Sequence, residues 1–164
     1  MKAAVRDRFG SPAAVVEVQE IEKPQPADDE VLVRVRASSL NLGDWYDVTG
    51  RPWVGRGMQG LRRPKESRLG TDYAGTVEAV GKDVTEFRPG DEVFGGRSGA
   101  LAEYVSARAD RAIVPKPANV TFDEAAAVPV AAITALQGLR DKGQLQPGQK
   151  TGNVVLTLDG ATAR

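Results

Sequence analysis

The sequence contains no cysteine and no histidine. Without cysteine there is no disulfide and no thiolate metal site. Without histidine the chain loses the commonest zinc ligand and the commonest general base, so Ser/His/Asp and Cys/His arrangements are excluded. Any metal would have to sit on carboxylates alone, and none is expected. Net charge is also missing: Lys plus Arg and Asp plus Glu number 22 each. That balance gives no overall pull towards nucleic acid or acidic membranes. Met1-Lys-Ala-Ala-Val5 has no long apolar core, and no stretch approaches 20 apolar residues. The expectation is a soluble, cytoplasmic chain with no nucleic-acid or membrane partner.

What is present is 164 residues, a length that suits one domain and buries roughly 70% of the unfolded surface. The first two thirds read as short strands separated by Gly and Pro turns. In Glu30–Ala37, Val31, Val33 and Val35 fall on one face and Leu32, Arg34 and Arg36 on the other, the period of a strand with a buried side. Val16, Val18 and Ile21 predict one apolar side of a strand at 15–21. Further strands are expected at 2–6, 75–80, 91–94, 101–106 and 112–116. Gly81-Lys-Asp and Arg88-Pro-Gly-Asp91 are turns in which Gly81 and Gly90 are expected at positive φ. Thr121-Phe-Asp-Glu124 is a capping box opening a short helix. A second helix is expected over 130–141, with Gly143 as its cap. The run Asn153–Leu158 is of strand type. The expected fold is mainly β, a partly open barrel with one or two short helices.

The segment from Gly75 to Val93 follows the pattern G-x-V-x-x-V-G-x-x-V-x-x-F-x-x-G-D-x-V throughout, with Val77, Val80, Val84, Phe87 and Val93 as core positions. It resembles the medium-chain dehydrogenase/reductase family. Ser39-Leu-Asn-Leu-Gly-Asp44 resembles that family's active-site turn, and Leu69-Gly-Thr-Asp-Tyr-Ala-Gly75 its next block. Residues 99–105 and 125–136 resemble the strand leaving the barrel and the helix leading to the cofactor domain. Within the family the resemblance is to the quinone-oxidoreductase and reticulon-interacting reductase branch.

The resemblance implies a GroES-like barrel over 1–164, in which 1–150 is the N-terminal part and 151–164 a returning strand. The Rossmann domain of the family is missing between Lys150 and Thr151. The parent activity would be NADPH- or NADH-dependent reduction of a quinone, or related enone and alcohol chemistry, on a small-molecule substrate. The chain alone is expected to bind no cofactor and to have little or no activity. Positions that carry zinc in metal-dependent relatives match Asn41, Thr71 and Val130, none a soft ligand. The resemblance places Asn41, Asp44 and Tyr46 as catalytic candidates at the nicotinamide and substrate pocket, and Thr134 near the cofactor.

Plainer readings stand beside these. Asn41 and Asp44 can form an Asx-type turn or helix cap. Tyr46 can be core, and Thr134 can bond back to the preceding helical turn. Gly55-Arg-Gly-Met-Gln-Gly60 fits G-x-G-x-x-G, but no adequate strand precedes it and Pro64 breaks a following helix, so it is read as a decoy. The stretch 51–68 carries a net charge of plus five. It is either a solvated loop or, through Arg62 and Arg63, a residual NADPH-binding surface. A co-chaperonin-like scaffold, which would form a ring, is the rival from outside enzymology. Apolar residues over 130–139 predict a homodimer through that helix.

Overall fold

The computed structural model describes residues 1–53, 60 and 63–143. The expected strand at 153–158 and most of the 55–60 motif lie outside them. Two compact units are present: Met1–Ala131, and a second beginning at Ala132.

The first unit is mainly β. Its strands are β1 (Lys2–Val5), β2 (Glu17–Glu20), β3 (Glu30–Ser39), β4 (Asp72–Val80), β5 (Glu92–Gly96), β6 (Tyr104–Arg108) and β7 (Ile113–Pro115). Helices α1 (Pro12–Val15), α2 (Leu42–Thr49) and α3 (Phe122–Ala126) lie between and after them. The main sheet is antiparallel with order β6-β3-β4-β5-β7, and β1 and β2 form a separate ribbon. Register shifts between Leu32 and Val33 and between Val35 and Ala37 interrupt the β3–β4 ladder. Such bulges add twist, and the sheet curls into an open half-barrel.

Val31, Val33, Tyr73, Val77, Phe87 and Val93 are buried together on one face, with Val80 and Val84 packed against them. The apolar set read from the 75–93 pattern is therefore core. At the centre, the Tyr73 phenol donates to the Ala112 carbonyl at 2.9 Å. Burial pushes its ionisation well above the ordinary tyrosine value, so it stays neutral. Tyr73→Phe removes this bond and costs about 1 kcal/mol, measurable as a lower urea midpoint with unchanged slope.

The opposite face is covered by α3, where Ala125 and Ala126 pack on Ala74 with Ala37 and Phe94 alongside. Leu32 is buried too, although it was expected on the face shared with Arg34 and Arg36; it sits in the middle of the sheet, paired with Ala79 on one side and Ser106 on the other. The capping box is present: the Thr121 hydroxyl accepts from Glu124 N at 3.2 Å, and Glu124 Oε2 accepts from Thr121 N at 2.9 Å.

Strand β1 is tied to residues far along the chain. Ala4 N donates to Leu101 O, Leu69 N to Ala4 O, and Glu103 N to Lys2 O. A third cluster forms there, with Val15, Val48 and Leu69 buried and Val16 packed on them. Val18 departs from expectation: it is 71% exposed, because every residue of β2 faces solvent on the outer strand of a two-stranded ribbon.

The two turn glycines divide. Gly90 has φ 98° as expected. Gly81 is not at positive φ; its requirement is space, since a Cβ there would lie 2.0 Å from Ala27 O.

In the second unit, a helix α4 that starts at Pro129 continues to Leu136, and a π-helical turn follows over Gln137–Lys142. This agrees with the span read from the sequence.

Candidate functional site

Of the two plainer readings of Asn41 and Asp44, a turn or a helix cap, the structure shows the cap: they open an eight-residue helix. Asn41 caps α2, its Oδ1 accepting from Gly43 N at 2.8 Å and Asp44 N at 3.4 Å. Asp44 Oδ2 answers by accepting from Asn41 N at 2.8 Å. Gly50 closes the helix in the left-handed region with φ 64°, and its N–H donates to Tyr46 O. Asn-x-x-Asp followed six residues later by Gly is the sequence signature of such a capped helix.

The cap is one edge of a larger polar cluster. Asp72, at the head of β4, is 1% exposed. Its Oδ2 accepts from Asn41 Nδ2 at 3.3 Å and from the Ser39 hydroxyl at 3.4 Å. Its Oδ1 accepts from Val130 N at 3.2 Å. Thr71 Oγ1 donates to Asp44 Oδ1 at 3.1 Å. Asn41, Thr71 and Val130, the three positions matched to zinc ligands in metal-dependent relatives, thus converge on two carboxylates. Among the described residues, no group of three or more His, Cys, Asp or Glu side chains is placed to hold a metal ion.

The electrostatics follow from this arrangement. Burial raises the Asp72 carboxyl above the ordinary aspartate value, and the negative charge of Asp44 adds to the rise. The Val130 amide, Asn41 and Ser39 oppose it. Neutral dipoles stabilise a buried carboxylate only in part when the nearest full charge has the same sign.

Of the four residues singled out from sequence, the structure joins Asn41 and Asp44. Tyr46 is separated from them: two positions along α2 from Asp44, it points to the other side of the helix. It is 38% exposed and stacked edge-to-face with Trp45 at 5.4 Å. It is therefore not core. Leu42, Trp45 and Tyr46 make an outward apolar stripe at helical spacing. Thr134 lies on α4 in the second unit. Of the basic loop, Arg56 and Arg62 lie outside the described residues. Asp72 and Ser39 were missed. The signal for Asp72 was present as a single acid opening the otherwise apolar run Asp72-Tyr-Ala-Gly-Thr-Val77.

The alcohol dehydrogenase GroES-like domain matches residues 27–118, which include β3, β4 and, of the cluster, Ser39, Asn41, Asp44, Thr71 and Asp72. This chain belongs to that family. Chloroplastic quinone-oxidoreductase QR1 of Triphysaria versicolor is 36% identical over 147 residues, covering 85% of this chain and 42% of the relative. The quinone oxidoreductase of Coxiella burnetii superposes with a TM-score of 0.79 at 32% identity, covering 90% of this chain and 46% of that one. The Escherichia coli quinone oxidoreductase in complex with NADPH gives a TM-score of 0.77 at 27% identity, covering 90% and 43%. The GroES-like chain thus spans less than half the length of these relatives. Among its described residues no helix is long and apolar enough to cross a membrane.

Proposed function

We propose that this chain is the carbonyl-binding half of an NADPH- or NADH-dependent oxidoreductase that reduces quinones or α,β-unsaturated carbonyls, and that alone it turns over little or no substrate. The observation that carries the reading is the Asn41 amide. Its Oδ1 is consumed by the cap and one Nδ2 hydrogen by Asp72, which leaves one N–H in a fixed direction. A donor held at both ends costs no reorganisation when it meets a carbonyl oxygen on which negative charge grows. Asp72 fixes the amide's orientation, and Asp44 and Thr71 fix the helix start that carries it.

The cofactor does not fit this chain alone. A dinucleotide needs a strand, a glycine loop and a helix N-terminus. The sequence has one G-x-G-x-x-G, at 55–60, and among the described residues the preceding element is α2, not a strand. The nicotinamide half is inferred to belong to the parent, missing between Lys150 and Thr151. The chain's own part is to bind, orient and polarise the carbonyl.

The test is a titration of the ¹⁵N-labelled chain with a benzoquinone and an enone, beside calorimetry with NADPH and a turnover assay. Expected are shifts of the Asn41 side-chain amide and of the backbone amides over 41–44, lost in Asn41→Ala, with no turnover. Absence of shifts at Asn41 refutes the carbonyl reading. Turnover with saturable NADPH binding refutes the assignment of the cofactor site to the missing half and points to the basic loop. Sedimentation at rising concentration tests self-association through 130–139; a strict monomer counts against it.

A further inference from the structure

Arg6, directly after β1, is 7% exposed. Its backbone N–H donates to Ser67 O at 2.8 Å, and its guanidinium lies 5.1 Å from the centre of the Phe9 ring. Nε and Nη1 are buried and have no hydrogen-bond partner among the described residues. A buried cationic N–H without an acceptor is among the most costly polar arrangements in a protein. Burial lowers the pKa of Arg6, and the charge of Asp47 on α2 works the other way.

Arg6 borders a cavity of about 40 Å³ whose wall also includes Asp44, Asp47, Glu66, Arg68 and Ser98. These five with Arg6 include all the charged groups of the wall. Glu66 and Arg68 satisfy one another through two bonds of 3.1 and 3.0 Å. Asp44 is held by Asn41 N and Thr71 Oγ1, and each carboxylate oxygen retains a further lone pair. A volume of this size has room for water, which requires about 10–15 Å³ and two to four polar partners. An anion would meet three carboxylates, and a metal cation two guanidinium groups. A group that both accepts from Arg6 and donates to the acids of α2 must carry donors and acceptors without net charge, as water does.

We propose that the cavity is a built water site bridging Arg6 to Asp44 and Asp47, and that Arg6 is thereby a positioning residue, pinning α2 and its Asn41–Asp44–Asp72 cluster to β1. The functional meaning of that pinning rests on the carbonyl-binding reading above; the water site does not. Two measurements on the 164-residue chain decide it. In a high-resolution crystal structure grown from bromide, ordered water within about 3.2 Å of Arg6 Nε or Nη1 is expected, with no anomalous peak in the cavity. Bromide there, or no solvent peak, overturns the proposal. In amide exchange, Arg6→Met is expected to speed exchange over residues 42–49 about tenfold more than in β4, the loss of one charge-assisted bridge. An equal rise in α2 and β4 reduces Arg6 to a general contribution to stability and overturns the positioning role. Should Arg6→Met fail to fold, Arg6→Lys carries the same comparison, because it keeps the charge and loses the two-nitrogen edge. Neither readout needs turnover, so a failed quinone titration leaves both interpretable.

Discussion

Gly75→Ala lowers the stability of the chain by about 3 kcal/mol, the upper end of what overpacking costs. Gly75 sits mid-strand in β4, paired with Val35 on one side and Val93 on the other. A Cβ there would lie 2.2 Å from Arg34 O and 2.9 Å from Val33 Cγ1. The first obstacle is backbone in a hydrogen-bonded ladder, which no rotamer change can move aside. The β3–β4 pair must separate locally, beside the bulge between Val35 and Ala37. The urea midpoint is the measurement. An alanine variant within about 0.5 kcal/mol of the parent would mean that the bulge absorbs the added atom.

Asp72 gives the second large effect, and its sign depends on the replacement. Asp72→Ala strips the acceptor from Val130 N–H, Asn41 Nδ2 and Ser39 Oγ together, and costs about 3 kcal/mol. Asp72→Asn keeps one of the two acceptor oxygens and removes the buried charge. Because burial holds the native carboxyl above its ordinary value, the folded chain takes up the Asp72 proton more readily than the unfolded chain. Stability contributed by Asp72 is therefore greatest at acid pH and falls as pH rises from the ordinary aspartate value through the raised one. The stability of Asp72→Asn relative to the parent should climb across the same window. Urea titrations of both chains at several pH values test this; a difference that stays flat or falls with pH refutes it. Glu30 works in the opposite sense. Against the cost of its burial, the Ala27 N–H and the Ser106 hydroxyl lower its pKa, so its contribution fades as pH falls. The comparison between the two chains cancels that background.

The strands of the main sheet were legible because Val31, Val33, Val77 and Val93 repeat with the pleat, and the pattern over 75–93 carried the family with it. The Thr121 cap was legible because hydroxyl and carboxylate stand three residues apart. At α2 the same spacing of Asn41 and Asp44 allowed a turn or a helix cap, and only the packed structure chooses the cap. Burial of Leu32 goes with its central place in the sheet, between Ala79 and Ser106, a pairing no local period shows. The role of Asp72 needed three partners from β3, the α2 cap and Val130. Such convergence is a property of tertiary structure, so the cluster's edge could be read from sequence and its centre could not.

The ties of β1 to Leu69, Leu101 and Glu103 bear on how the chain is made. β1 meets its ribbon partner β2 early, but these further partners are translated much later. At roughly 5–20 residues per second, a wait on the order of 5 to 20 seconds separates Ala4 from Leu101. Throughout that interval the amino-terminal segment is a half-satisfied β edge, the species that chaperones and misassembly compete for. Slower synthesis between β1 and Leu101 therefore lengthens the time for which this edge stays incomplete.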